Sequence, residues 1–393
     1  MERRQRLLAE IQKFGLDGAL ISSPENIFYA TGLSPHQLTV SRRPGFASAL
    51  FRADDAAGML CTMDYEAPAL ASRAQGVEIV PYATWVGVKS EREWRDKRDA
   101  PGDALPGADE TLKGMFENLK LASGRVGAEL QFLPAAAFDA LRRLLPEVEW
   151  TDVGDAFLRA RSVKTPAEIA LYRRLTEVCD SALLEMSQSV AVGARESDLI
   201  RIYRKACIAD DIYPSSWSML GAGPNASMLT LPTDRCVADG DALRFDGGCE
   251  AGFAFYKTDF SRSWLIGRAD PALTEMKKVL VDAQREMIAR LRPGMAFKDL
   301  FHIGYDYVKR YLPNYRRGHQ GHSISLGPQT ADAPFVAPDQ EGEVRPGMVL
   351  AIEVPFYIRG YNGFNIEDMV LVGESSAEVL TYRTPHYLDS ERR

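Results

Sequence analysis

Val349-Leu350-Ala351-Ile352-Glu353-Val354-Pro355 sets one carboxylate at the end of an apolar run that otherwise reads as a core strand. The pattern recurs in Phe364-Asn365-Ile366-Glu367-Asp368-Met369-Val370, where Glu367 lies between Ile366 and the run Met369–Val372. Toward the N-terminus, Asp246 lies in Ala242-Leu243-Arg244-Phe245-Asp246-Gly247-Gly248 and Asp259 in Lys257-Thr258-Asp259-Phe260-Ser261-Arg262. One imidazole, His322 in Gly321-His322-Ser323-Ile324-Ser325, has a similar setting. Taken singly, each acid reads as an edge-strand residue facing water, because Asp and Glu are mostly exposed. Taken together, they read as one site. A bare buried carboxylate is costly, so it must pair with a base, be protonated or bind a cation. Nearby cationic residues look too few to neutralise four acids. A pair of divalent cations would satisfy them together, and oxygen-rich ligation with one imidazole suits Mn, Fe, Co or Zn.

Around these acids the second half of the chain predicts helices at 166–190, 195–210, 271–292 and 297–312. Strands group between them at 242–247, 252–265, 321–326, 348–357 and 365–373. Strands grouped between helices imply a mainly antiparallel sheet with helices on one face, an α+β unit. Thr165-Pro166-Ala167-Glu168 carries an N-cap, a first-turn proline and a capping-box glutamate for the long helix. The domain boundary is placed just before that helix, giving domains 1–155 and 156–393.

The first domain alternates differently. Residues 3–14 read as an amphipathic helix and Asp17–Ser22 as a strand running into a turn at Ser23–Asn26. Phe46–Phe51, Gly58–Thr62 and Val77–Pro81 read as strands, and 109–120 and 135–145 as helices. This is an α/β unit, with a polar surface loop at 86–108.

The chain has 393 residues, 46% of them hydrophobic, and a net charge of −7 from 47 basic and 54 acidic side chains. That balance excludes a largely disordered chain, and the lack of a basic block argues against nucleic acid and anionic membrane as partners. No run approaches the length of a membrane span. The N-terminus MERRQRLLAEIQKFG has no signal-peptide pattern. Cys61, Cys179, Cys207, Cys236 and Cys249 are scattered without CxxC, so neither a disulfide framework nor a thiolate zinc site is expected, and the cytoplasm is the expected compartment.

The ordered set Asp246, Asp259, His322, Glu353, Glu367 resembles that of the creatinase/aminopeptidase P/prolidase family, the M24 metallopeptidase-like "pita-bread" group. Gly18-Ala19-Leu20-Ile21-Ser22-Ser23-Pro24-Glu25-Asn26-Ile27-Phe28-Tyr29-Ala30-Thr31-Gly32 resembles the opening of its creatinase-type N-terminal domain. Residues 161–172 (RSVKTPAEIALY) resemble the entry to its pita-bread catalytic domain. The resemblance implies two divalent metals: Asp246 on one, Asp259 and Glu367 bridging, His322 and Glu353 completing the second. It also implies a metal-activated water as nucleophile, Glu353 as the acid/base, cleavage of an amide bond as in Xaa-Pro peptides, and a homodimer. Arg262 reads either as a partner of a ligand carboxylate or as an ordinary strand arginine.

Substrate-side positions depart from the family pattern. Thr230 and Gln329 stand where the family has histidines, Thr330 where an acid follows the second one, and Asn365 where an arginine often precedes the last ligand. Thr and Gln donate hydrogen bonds but do not titrate, and losing one imidazole donor costs ~10²–10³ in rate. His319 is a second candidate catalytic residue and could replace one of these imidazoles; otherwise it is a loop histidine. Thr230, Gln329, Asn365, Tyr256 and Trp217 are the candidate substrate-binding residues. His36 reads as a solvated loop residue, or as one reaching a partner's pocket; His302 and His386 read as structural. The substitutions raise a second reading, a small-molecule amidohydrolase of creatinase or ectoine-hydrolase type, or a lyase. A non-catalytic binding module is a third, opposed by retention of all five ligands.

Overall fold

The computed structural model describes residues 1–97, 105–327, 330–388 and 391. The chain forms two compact units, Met1–Arg161 and Ser162–Arg393. Among the described residues no helix is long and apolar enough to cross a membrane.

In the first unit, β1 (Gly18–Ile21), β2 (Ala47–Arg52), β3 (Gly58–Met63), β4 (Val77–Tyr82), β5 (Arg125–Ala128) and β6 (Glu149–Asp152) form one sheet in the order β4-β3-β2-β1-β5-β6. The pairs β3/β4, β1/β5 and β5/β6 are parallel, and β1/β2 and β2/β3 antiparallel. Ser23–Asn26, expected as a turn, instead starts the helix Pro24–Thr31. Ser23 accepts from Asn26 N as its N-cap, and buried Glu129 accepts from Ser22 N, Ser23 N, Ser23 Oγ and Asn26 Nδ2. Glu129 holds the two residues that enter the helix, and Ser23 Oγ satisfies the first-turn N–H of Asn26, so the helix starts there. The expected loop at 86–108 contains a short helix, Glu91–Asp96, started by a Ser90/Glu93 capping box; residues 98–104 lie outside the described residues.

The second unit begins with the helix Pro166–Ser187, entered through the Thr165/Glu168 capping box. Its strands are β7 (Tyr213–Pro214), β8 (Met219–Ala222), β9 (Ala242–Gly247), β10 (Cys249–Glu250), β11 (Phe260–Leu265), β12 (Gly321–Ile324), β13 (Ala331–Phe335), β14 (Val349–Glu353), β15 (Phe356–Ile358), β16 (Asn362–Phe364), β17 (Glu367–Val372) and β18 (Ala377–Val379). The large sheet runs β13-β12-β14-β17-β11-β9-β8, with β18 on β17, and every pairing in it is antiparallel. The strand expected at 252–265 is confined to Phe260–Leu265: residues 252–254 form a 3₁₀ turn, and Gly252 and Phe255 take left-handed backbone angles that a strand cannot accommodate.

Register explains the two faces of this sheet. Leu350 opposes Val370 and Ile352 opposes Asp368, while Ala351 opposes Met369 and Glu353 opposes Glu367. Leu350, Ile352, Ile366, Val370 and Val372 join a core with Leu280 and Met287 of helix Pro271–Arg290 and Leu300, Phe301 and Val308 of helix Phe297–Tyr311. Burying each such side chain contributes roughly 1.5–3 kcal/mol. The period-two alternation then turns Glu353, Glu367 and their neighbours to the opposite face.

Candidate metal centre

Five consecutive strands of the sheet each deliver one of the five residues. Across the order β12-β14-β17-β11-β9 these are His322, Glu353, Glu367, Asp259 (one residue before β11) and Asp246. All five are buried. Single ligand atoms of Asp259, His322 and Glu367 lie within 4.8 Å of one another. His322 Nε2 is 3.7 Å from Asp259 Oδ2 and 3.9 Å from Glu367 Oε1. Its other nitrogen, Nδ1, is 3.1 Å from Ser323 O. With the proton on Nδ1 donated to that carbonyl, the Nε2 lone pair faces the acids, as a metal ligand requires.

The electrostatics favour added positive charge. Burial and the neighbouring carboxylates push Asp259 and Glu367 well above the usual carboxylate range. Burial also raises Asp246, partly offset by Arg244, and lowers His322 toward the neutral form that coordinates. Glu353 goes the other way: burial alone would raise it, but His319 and the Arg317 guanidinium hold it at about 2. Asp259 Oδ1 is buried with no hydrogen-bond partner. An orphaned carboxylate oxygen beside a neutral imidazole and a second raised carboxyl fits a divalent cation.

Two cations that the sequence reading did not count also meet these acids. Arg317 Nη2 donates to Glu353 Oε1 at 2.8 Å, and Arg244 Nη1 to Asp246 Oδ2 at 2.8 Å. Arg317 comes from a distant loop and leaves no local signal, whereas the i, i+2 spacing of Arg244 and Asp246 on one strand face was a signal that could have found that pair. Arg262 is buried, spans Asp368 Oδ1 and the Glu367 carbonyl, and so supports the strand end that carries Glu367. His386 Nε2 is 3.0 Å from Asp368 Oδ2, in the same buried network.

The candidate substrate residues separate. His319 Nδ1 stands 3.2 Å from Glu353 Oε1, without the alignment of a hydrogen bond, and its ring centroid is 6.3 Å from that of His322. Asn365 turns toward the ligands: its Nδ2 reaches Asp246 Oδ2 at 3.3 Å and Glu367 Oε2 at 3.2 Å. Thr330 donates to Asp259 Oδ2 at 2.5 Å, so the hydroxyl replacing the expected acid holds a ligand in place. Tyr256 is a core residue, not a pocket residue: its hydroxyl donates to Glu168 Oε1 at 2.8 Å and its ring packs edge-on against Tyr172. Trp217 is half-buried in the turn before β8. Thr230 is half-buried in a loop whose neighbours Met228, Leu229 and Leu231 are exposed. Gln329 lies outside the described residues. His36 is exposed at the start of helix His36–Ser41, and His302 is exposed 3.7 Å from Asp306.

Residues 170–374 match the model of metallopeptidase family M24, and residues 3–163 match that of the creatinase/prolidase N-terminal domain. The chain belongs to metallopeptidase family M24. It is a peptidase-type hydrolase of a family of dinuclear metal enzymes. Over 384 residues, 97% of each chain, this M24 protein is 23% identical to the Xaa-Pro dipeptidase of Pyrococcus furiosus. Among solved structures it resembles a dipeptidase from Pyrococcus horikoshii with a TM-score of 0.82 at 21% identity, over 98% of this chain and 100% of that one. The prolidase from Pyrococcus furiosus gives 0.78 at 20% identity, over 96% and 100%. At these identities the structural likeness establishes the shared fold.

Proposed function

We propose that this M24 hydrolase is a dipeptidase that cleaves the amide bond preceding proline in Xaa-Pro substrates. The observation that carries the reading is the convergence of Asp246, Asp259, His322, Glu353 and Glu367 from five adjacent strands, in a chain similar over its whole length to Xaa-Pro dipeptidases. These five residues would hold two divalent ions, drawn from Mn, Fe, Co and Zn on donor chemistry. When bound, such ions supply Lewis acidity toward a carbonyl oxygen and a water that is nucleophilic near neutral pH.

The protein's own groups handle the proton and the substrate. Glu353, kept ionised by Arg317 and His319, takes the proton of the attacking water and returns it to the departing nitrogen. His319 Nδ1 stands 3.2 Å from Glu353 Oε1 and helps to keep that carboxylate ionised. Asn365 and Thr330 fix the orientations of Asp246, Glu367 and Asp259. Arg317, the partner of Glu353, also lines a cleft with Asn314, Tyr315, Arg316, Pro355, Phe356 and Tyr357. A homodimer is supported by the family resemblance. A cytoplasmic location is supported by the scattered free cysteines.

The test is hydrolysis of an Xaa-Pro dipeptide panel by protein stripped with chelator and reloaded separately with Mn, Co, Fe or Zn. Turnover restored by one of them is expected. Stoichiometric loading with no dipeptide cleaved would overturn the peptidase reading. The replacement of two titratable groups by Thr230 and Gln329 would then make small amides the substrates to screen next.

A further inference from the structure

Arg244 is fully buried on β9, two residues before Asp246 and on the same face of the strand. Its guanidinium bonds in three directions. Nη1 donates to Asp246 Oδ2 at 2.8 Å, Nε to Ala226 O at 3.0 Å and Nη2 to Met228 O at 2.6 Å. The cation also lies 5.5 Å from the centre of the Tyr357 ring. Its partner across β8 is Gly221, where an added Cβ would meet the Asn225 backbone at 2.7 Å. The turn at 223–227 therefore packs directly on β8, and its carbonyls come within reach of Arg244.

A buried guanidinium is tolerated only when its charge and donors are matched. Here one side chain joins a ligand carboxylate to the carbonyl of Ala226, inside the turn 223–227, and to that of Met228, just after it. The same Asp246 oxygen is reached from the β17 side by Asn365 Nδ2 at 3.3 Å. Two chain positions, 244 and 365, thus converge on one oxygen, and only the first carries a charge.

We propose that Arg244 is a positioning residue: it orients Asp246 for one metal ion by tying that carboxylate to the backbone carbonyls of Ala226 and Met228. The inference rests on Asp246 being a ligand. Mn²⁺ binding to full-length protein is measured by titration calorimetry. Asp246→Asn should lose one of two ions. Arg244→Met should weaken that same ion ~10–100-fold and spare the other, the usual size of an outer-partner effect. Arg244→Lys keeps the charge but not the three-way fork, and should fall between. Arg244→Met/Asn365→Arg returns a guanidinium to the Asp246 oxygen and should restore ion affinity.

If Asp246→Asn still binds two ions, both the ligand assignment and the proposal fall. If Asp246→Asn loses an ion while folded Arg244→Met and Arg244→Lys keep wild-type affinity, only the proposal falls. A double variant no better than Arg244→Met alone would also overturn the orienting role. Should Arg244→Met fail to fold, Arg244→Lys carries the comparison.

Discussion

Glu353 and Glu367 oppose each other as a register pair across β14 and β17, both buried on the face that turns away from helices Pro271–Arg290 and Phe297–Tyr311. Directly opposed like charges destabilise a strand pair, so the pairing stores repulsion that a cation relieves. Glu367→Gln should therefore melt higher than wild type in chelator, by roughly 1 kcal/mol at most. It should also lose the metal-induced rise in melting temperature, worth about 2.7 kcal/mol at a hundredfold excess over Kd. Calorimetric melts with and without Mn²⁺ check both signs.

Thr330 is the only described neighbour whose side-chain hydroxyl bonds to Asp259. Thr330→Val keeps the shape and removes the donor. A hydrogen bond to a charged group contributes about 1.5–3 kcal/mol, so metal affinity should fall ~10-fold or more with little change in fold. Isothermal titration with Mn²⁺ reads this directly.

Arg262 and Asp368 form a buried ion pair at 2.7 Å, and the guanidinium also bonds the carbonyls of Ser261, Glu367, Thr381 and Thr384. Removing one partner strands the other. Arg262→Leu should cost about 3–5 kcal/mol in urea unfolding, far more than any exposed ion pair of this chain.

Lys277 is buried against Glu391, and burial lowers its ammonium to about 8, with the carboxylate opposing. Unfolded, the lysine titrates at its ordinary value of 10.5. Between these values the unfolded chain holds more protons, so this group makes stability rise with pH from about 8 to 10.5, while its cost is full below 8. Lys277→Met should flatten that part of the stability profile, measured as denaturation midpoint against pH.

Tyr256→Phe removes the hydroxyl that donates to Glu168 Oε1. Stability should drop by ~1 kcal/mol with kcat and KM unchanged. A raised KM would return Tyr256 to the substrate pocket.

The metal-side residues were legible because each breaks a local rule. Glu353 and Glu367 interrupt apolar strand patterns, and such breaks are expensive unless a site uses them. Tyr256 and Trp217 broke no rule: aromatics suit strands and turns equally as core, and composition cannot say which face a ring takes. The 252–265 strand failed for a related reason, since the left-handed angles at Gly252 and Phe255 follow from the turn they serve and not from hydrophobic period.

Taken alone, the amino-acid order determined which residues must be buried together: a period-two alternation puts every second side chain on one face, and acids in that alternation must meet a base, a proton or a cation. The folded chain decided which strands became neighbours, and so which oxygen meets which donor. Arg317 on Glu353 and Thr330 on Asp259 are contacts between residues separated by a long excursion of the chain. Hydrogen bonds act over about 3 Å in space and are indifferent to distance along the backbone, so only tertiary structure could assign them.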